Sequence, residues 1–459
     1  MKLLDTIAAI STPYGKGGVA LIRISGDGAL GVVNKIFFPM SDRKIVDDAG
    51  RMLYGEIRDV DGCVIDDAMA VFFRGPHSFT GEDTVEITCH GGILITAKVL
   101  SCALRAGARQ AEAGEFTRRA YVNGKMRLSE AEALGNLLEA RSEAQITLAR
   151  NGMSGNLADK TEQIYSSLLS ILSSVYAVID FPDEDLSEMT REEIISGIED
   201  VEKRISDLAS TYGTGRAINE GIPTVICGRA NAGKSSVYNK ILGYEAAIVT
   251  DVEGTTRDVL REVATLGKTL LLLSDTAGLR DTSDEVESIG VSRAREEIKN
   301  AGLILAVFDI SRELDDDDMR LADEIAGTNI PTIVLLNKSD LGTQKDMSYL
   351  LSKFEYTVNI SALNYEGFDT LAKMVDELFI NGEIDVSHDA IVTGARQHAA
   401  LCRAGEALAS AKKDLSALLP LDLCCVAIEE ATGLLCEVDG RQVGEEIVSE
   451  IFSRFCVGK

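Results

Sequence analysis

Short runs in which apolar and polar positions alternate with a period of two open the chain. Residues 5–10 and 19–24 predict strands, joined by the loop Thr12-Pro13-Tyr14-Gly15-Lys16-Gly17-Gly18. Residues 51–57 and 64–73 suit a hairpin around Asp61-Gly62, residues 84–88 alternate again, and His90-Gly91-Gly92 leads into an apolar helix. The first 120 residues therefore predict an α+β domain. The loop at 14–18 is glycine-rich but lacks the Gly-Lys-Ser ending of a nucleotide loop, so it reads as a plain glycine turn.

From residue 121 the period lengthens to that of a helix. Leu128, Ala131, Leu134, Leu137 and Leu138 form one apolar stripe, and Ile164, Leu168, Ile171, Leu172 and Val175 form another. The acidic stretch Phe181-Pro182-Asp183-Glu184-Asp185 breaks the pattern. Residues 188–212 resume it, with Ile194, Ile198, Val201 and Ile205 on one side, and residues 396–455 are helical again. Between these flanks, buried strands at 222–227, 270–275, 303–309, 332–336 and 357–360 alternate with helical stretches, and 259–273 reads as a hairpin around Gly267-Lys268. That order predicts a doubly wound, mostly parallel α/β sheet with one antiparallel edge. Glycine-containing joints at 215–221 and at Asn381-Gly382 mark where it is inserted. The expected organisation is an N-terminal α+β domain over 1–120, an all-α helical domain built from 121–217 and 383–459, and an inserted α/β domain over 218–382. The acidic run at 315–318 predicts a solvated helix start without chemistry.

Composition narrows the function. The 459 residues suggest roughly three domains. A formal net charge of −27 repels nucleic acid, so any grip on RNA needs a basic partner or a local patch. Nine cysteines without a Cys-x-x-Cys pair, and four histidines without zinc-type spacing, predict reduced thiols in the cytoplasm and no structural metal site. The first ten residues lack a signal-peptide pattern, and no apolar run approaches the ~18 residues of a membrane span.

Gly228-Arg229-Ala230-Asn231-Ala232-Gly233-Lys234-Ser235 follows the strand at 222–227 and opens a helix, completing the phosphate-loop pattern GxxxxGKS. Backbone N–H groups of Asn231 to Ser236 can cradle phosphates, Lys234 supplies a point charge, and Ser235 can ligate Mg²⁺. Asp275-Thr276-Ala277-Gly278 ends a later strand, where the Asp can hold Mg²⁺ through water and the Gly278 N–H can sense the γ-phosphate. Asn337-Lys338-Ser339-Asp340 ends another. Asp340 can accept from guanine N1–H and its exocyclic amine, a donor pair adenine lacks, which selects GTP. Ser361-Ala362-Leu363 would back the base through a backbone amide. Thr256, in Gly254-Thr255-Thr256-Arg257, is placed to ligate Mg²⁺ when the γ-phosphate is present.

These motifs resemble the translation-factor class of GTPases. Where members of that class carry a water-orienting Gln after the Asp-Thr-Ala-Gly motif, this chain has Leu279, which cannot polarise water; Glu285, Glu287 and Arg257 are the candidates. The flanks Pro13-Tyr14-Gly15-Lys16-Gly17-Gly18-Val19-Ala20, Phe79-Thr80-Gly81-Glu82-Asp83, Gly114-Glu115-Phe116-Thr117, Ile179-Asp180-Phe181-Pro182 and Cys456-Val457-Gly458-Lys459 resemble the MnmE (TrmE) family of tRNA-modification GTPases over the entire chain. The resemblance implies a homodimer with a folate-binding, dimerising N-terminal domain and a GTPase domain inserted into a helical one. It implies a heterotetramer with the flavin protein MnmG and access to tRNA through that complex. It also implies aminomethyl or carboxymethylaminomethyl addition at C5 of the wobble uridine, with 5-formyl- or 5,10-methylene-tetrahydrofolate as one-carbon source. By motif position, Asn231, Thr250, Val252 and Thr255 match K⁺ ligands, and Glu287 matches the glutamate that orients water. Arg23, Glu86, Lys125 and Lys459 match folate-binding positions, and Cys456 matches a cysteine near that pocket. Ala230 departs from the proline usual in the family, which removes one constraint on φ in the loop. Two rival functions remain open at this point. One is a regulatory switch of the ribosome-assembly type; the other is a folate-dependent transferase whose GTPase domain is incidental.

Overall fold

The computed structural model describes residues 5–59, 61–180, 190–243, 261–274, 301–342, 345–380, 382 and 384–459. The chain divides into two compact units, Met1–Gly135 with Cys436–Lys459, and Asn136–Leu435.

The first unit is built on a seven-stranded sheet. Its strands are β1 (Ile7–Ile10), β2 (Val19–Ser25), β3 (Phe37–Pro39), β4 (Met52–Arg58), β5 (Val64–Phe73), β6 (Thr84–His90) and β7 (Arg109–Gln110), in the order β3-β4-β5-β6-β2-β1-β7. All pairings are antiparallel except β1 with β7. Because strand side chains alternate between faces, Ile22, Ile24, Val85 and Ile87 turn inward. There they meet Val33 and Ile36 of α1 (Ala29–Ile36) and Val99 and Ala103 of α2 (Ile93–Arg105). Arg23 and Glu86, the alternate positions, therefore fall on the opposite face. The hairpin around Gly62 is present, and the loop at 14–18 joins β1 to β2 as a turn tied to Gly91 by two backbone hydrogen bonds. The short elements α1, β3 and β7 lie beyond what the alternation announced.

Helix α3 (Glu115–Val122) starts at Gly114, whose φ of +62° and close approach to the Phe452 carbonyl leave no room for a Cβ. Phe452, on the helix Glu445–Ser453, packs with Leu128 and Ala131 of α4 (Leu128–Glu139), and the Tyr121 hydroxyl donates to the Gly440 carbonyl at 2.7 Å. The chain end joins the same unit. Val457 bridges to Ala113, and the Ser11 hydroxyl donates to the Gly458 carbonyl at 3.0 Å. Within the α4 stripe, Leu138 lies in the last turn and is exposed, against the expectation that it is buried.

The second unit begins with α5 (Glu143–Met153), α6 (Asn156–Asp180), α7 (Arg191–Ser210) and α8 (Tyr212–Asn219). The expected stripes are buried: Ile164, Leu168 and Val175 on α6, and Ile194, Ile198, Val201 and Ile205 on α7. A capping box between Thr190 and Glu193 starts α7. A six-stranded sheet follows. Its strands are β8 (Ile222–Cys227), β9 (Arg261–Leu266), β10 (Thr269–Ser274), β11 (Leu303–Asp309), β12 (Thr332–Asn337) and β13 (Tyr356–Asn359), ordered β13-β12-β11-β8-β10-β9. Only β9 runs antiparallel, at the edge. The doubly wound architecture with one antiparallel edge is the one the alternation predicts. Helices α9 (Lys234–Leu242) and α12 (Phe368–Phe379) cover one face; α10 (Asp316–Ala326) and α11 (Ser348–Lys353) cover the other. Strand β11 is buried along its whole length, as a strand covered on both faces must be. Helices α13 (Ala395–Ser416) and α14 (Leu421–Asp439) close the sequence of the unit.

The acidic run at 315–318 does start a helix, but it is not merely solvated. Asp315 N-caps α10 and forms a capping box with Asp318, and Asp318 is buried against Arg312 at 2.7 Å. Four adjacent carboxylates at a helix N-terminus also suit the helix dipole.

Candidate functional site

Strand β8 carries the chain into the phosphate loop at Gly228. A Cβ there would sit 2.4 Å from the Val307 carbonyl oxygen, and one at Gly233 would sit 2.1 Å from Asn337 Nδ2; both positions require glycine. Asn231 takes a φ of +63°, which asparagine tolerates better than most residues. Gly233 precedes α9 without a capping side chain, so the first amides of α9 are left to an anion. Ser235 and Ser236 are exposed in that first turn. The Lys234 ammonium donates to the Arg229 carbonyl at 2.8 Å, and burial lowers its pKa below the ordinary lysine value. Bound phosphate would reverse that pressure.

The other wall comes from the ends of β12 and β13. Asn337 is buried; its Nδ2 donates to the Ala232 carbonyl at 2.9 Å and its Oδ1 accepts from the Ala362 amide at 3.1 Å. One side chain thus ties the phosphate loop to the loop after β13. Asp340 accepts the Ser361 hydroxyl at 2.7 Å, which fixes its carboxylate, and the Asn364 amide donates to the same hydroxyl at 3.1 Å. Lys338, at φ +68°, pairs with Asp309 at 2.5 Å. Burial pushes the Asp309 carboxyl up, but Lys338 and Ser311 outweigh it and leave the pKa lowered. Of the three amides expected to offer a bond to the base, that of Ser361 donates to the Glu366 carbonyl at 3.1 Å and that of Ala362 to Asn337, and Leu363 is 77% exposed.

Asn231, Ala232, Gly233, Lys234, Asn337, Lys338, Asp340, Ser361 and Ala362 are thus joined into one site by hydrogen bonds and loop packing. Thr250, Val252, Thr255, Thr256, Arg257, Asp275, Thr276, Ala277, Gly278, Leu279, Glu285 and Glu287 lie outside the described residues. Sequence reasoning missed Asp309 and the pairing of Arg229 with Asp315 and Asp317. An Arg inside the loop motif and an acidic run downstream were the available signals.

In the first unit, Arg23 and Glu86 stand directly opposite on β2 and β6. Arg23 Nε and Nη2 both reach Glu86 Oε1, at 2.9 and 2.8 Å. The guanidinium lies over the Phe79 and Phe116 rings, 5.1 and 5.6 Å from their centroids. Its Nη1 is buried with no hydrogen-bond partner among the described residues. Lys125 donates to the Pro76 carbonyl at 3.0 Å, at the loop that carries Phe79. Lys459 follows Gly458, whose backbone packs on Ile10 and Ser11. Cys456 is exposed, and all nine cysteines are free thiols.

Beneath this face lies a network the sequence did not announce. Arg119 is fully buried; Nη2 reaches Asp5 and Glu115 at 2.7 and 2.9 Å, and Nη1 reaches Glu82 at 3.2 Å. Arg109 binds Asp5 and Glu115 at 2.7 Å each. Glu82 and Glu115 belong to the two motifs that contain Phe79 and Phe116, so Arg119 ties both aromatic neighbours of Arg23 together.

Residues 128–456 match the family model described as MnmE helical domain, and residues 6–125 match the one described as GTP-binding protein TrmE N-terminus. The chain belongs to the MnmE (TrmE) family. It is 38% identical over 462 residues to the tRNA modification GTPase MnmE of Clostridioides difficile, covering 100% of both chains. It is 39% identical to that of Bacillus pumilus over 99% of this chain and 100% of the relative. The Carboxydothermus hydrogenoformans relative is 38% identical over 99% of each. A solved structure of an Aquifex aeolicus Era variant bound to GDP and AlF4⁻ matches 40% of this chain and 65% of its own at 25% identity, with a TM-score of 0.27. As an MnmE-family member the protein is a GTP hydrolase with a role in tRNA modification. Among the described residues no helix is long and apolar enough to cross a membrane, and no group of three or more His, Cys, Asp or Glu is arranged to hold a metal ion.

Proposed function

We propose that this protein is a cytoplasmic homodimer that hydrolyses GTP in a K⁺-stimulated cycle and, in a heterotetramer with MnmG, modifies tRNA. The modification is the addition of aminomethyl or carboxymethylaminomethyl groups at C5 of the wobble uridine, with the one-carbon unit drawn from a tetrahydrofolate. The domains are 1–120 for folate binding and dimerisation, 121–217 and 383–459 for the helical body, and 218–382 for the nucleotide. The observation that carries the nucleotide half is Asn337, which joins the phosphate loop to the base-side loop while Ser361 holds Asp340.

The residue roles follow from chemistry. Lys234 and the amides of residues 231–236 bind phosphates, with Thr276, Ala277 and Gly278 closing over the γ-phosphate. Ser235 and Thr256 would hold Mg²⁺, with Asp275 beyond them. Asn231, Thr250, Val252 and Thr255 would hold K⁺, which supplies positive charge where phosphate charge develops. The exposure of Ser235 and Asn231 at the loop mouth suits both roles. Asp340, Lys338 and the loop Ser361-Ala362-Leu363 would recognise guanine. Glu287 orients the attacking water. In the first unit, Arg23, Glu86, Lys125 and Lys459 bind folate. The unpaired Arg23 Nη1 suits an acceptor of that ligand, and Glu86 suits a pterin amide edge.

The test is GTP turnover in K⁺ against Na⁺, with and without MnmG, for the protein and its Glu287→Ala variant. Turnover in K⁺ should exceed that in Na⁺, and Glu287→Ala should bind GTP while losing nearly all hydrolysis. Equal rates in both salts would remove the K⁺ role, and full turnover in the variant would remove that of Glu287. Mass analysis of the wobble nucleoside in cells lacking the protein separates this reading from a switch without modification chemistry.

A further inference from the structure

Arg229 belongs to the phosphate loop and is tied outside it. Its guanidinium pairs with Asp315 and, at 3.1 Å, with Asp317, while its own carbonyl holds the Lys234 ammonium at 2.8 Å. Asp315 serves two purposes. Oδ1 accepts the amides of Asp317 and Asp318 at 3.1 and 3.0 Å, capping α10, and Oδ2 faces Arg229 and Arg312. Arg312 also neutralises Asp318, and Arg320 lies 3.6 Å from Asp317.

Four carboxylates therefore stand together at a helix start that contacts the phosphate loop. Arg229 is 34% exposed and Asp317 58% exposed on their side chains, so solvent screening leaves the pairing little to contribute to stability. Its effect on the electric field is larger in kind. A triphosphate approaching this loop meets whatever charge the α10 start leaves uncompensated, in a chain that already carries −27.

We propose that Arg229 is a positioning residue for GTP capture: clamped by Asp315 and Asp317, it holds the turn that bears Lys234 and cancels carboxylates that would otherwise repel the incoming triphosphate. The inference rests on GTP binding at the 228–235 loop, as proposed above.

The charges can be separated from the fold. Asparagine caps a helix as well as aspartate does, so Asp315→Asn removes charge and keeps α10. Association of a fluorescent methylanthraniloyl-GTP with the full chain is followed by stopped flow at low and high salt. Arg229→Gln should slow association about tenfold at low salt, and the deficit should shrink to about twofold near 0.5 M salt. Adding Asp315→Asn and Asp317→Asn to that variant should restore the rate to within about twofold of the parent. The two Asn substitutions alone, with Arg229 released, should speed association severalfold at low salt. This arm stands even if Arg229→Gln does not fold. The proposal is overturned by an Arg229→Gln rate equal to the parent's. It is also overturned by a deficit that ignores salt and is not restored by neutralising the carboxylates, or by an unchanged rate in the doubly substituted protein. Lys234→Ala is the control on the underlying reading: undiminished binding there would show that the loop is not the nucleotide site.

Discussion

Asn337 holds Ala232 across the candidate site, its Nδ2 donating to the Ala232 carbonyl at 2.9 Å. Because Oδ1 of the same side chain accepts from Ala362 at 3.1 Å, the two walls of the site are set by one residue.

Asn337→Ala breaks both bonds and leaves a buried carbonyl and a buried amide unpaired. Each unmet group costs about 1–3 kcal/mol. GTP affinity should fall by at least about tenfold, because the site must be rebuilt at each binding event. Titration of a fluorescent GTP analogue measures it; an unchanged dissociation constant would remove Asn337 from this role.

Asp340 is held by Ser361 at 2.7 Å. Asp340→Asn replaces one acceptor by a donor and should move preference from guanine to xanthine nucleotides, whose ring presents an acceptor there. Ser361→Ala removes only the orienting bond and should weaken GTP binding by a smaller factor, about 5–10-fold. Competition between GTP and XTP reads out both variants.

The network around Arg119 carries a pH signature. Burial pushes the Glu115 carboxyl up, but Arg109, the Glu112 amide and Arg119 outweigh it and leave the pKa lowered. Asp5 is likewise pushed up by burial and lowered on balance by Arg109 and Arg119. Groups with lowered folded-state values stabilise the fold above their unfolded values, 4.5 and 3.8, and lose that contribution as pH falls through the lower folded values. Melting of the first unit should therefore be flat above about pH 5 and fall below it. Glu115→Gln should melt lower at pH 7 and show a shallower acid slope. Arg119→Met, which takes the buried arginine from Glu82 and one of two arginines from Asp5 and Glu115, should cost about 3–5 kcal/mol. Calorimetry across pH checks all three.

The strand patterns, the helical stripes and the insertion of one sheet between helical flanks were legible because each repeats a period along the chain. Asn337, Asp340 and Lys234 stood out because they fall in spaced motifs at strand ends, and the structure joins their loops through Asn337. Most of the Arg119 network was not legible: Glu115 lies one helical turn away, but Asp5, Glu82 and Arg109 share no period with it and join only when the strands and loops that carry them are assembled on α3. The Arg229 clamp was hidden for the same reason. The acidic run gave away the helix start, and nothing local showed that an arginine 86 residues earlier would bind it.

The first unit needs residues 436–459, which leave the ribosome about 300 residues after residue 135. At 5–20 residues per second that interval is roughly 15–60 s. Until it ends, Gly114, Tyr121 and Leu128 lack the segment that covers them. The nascent chain must therefore finish its second unit while the first is still waiting, so that the earliest residues made are among the last to reach their native setting.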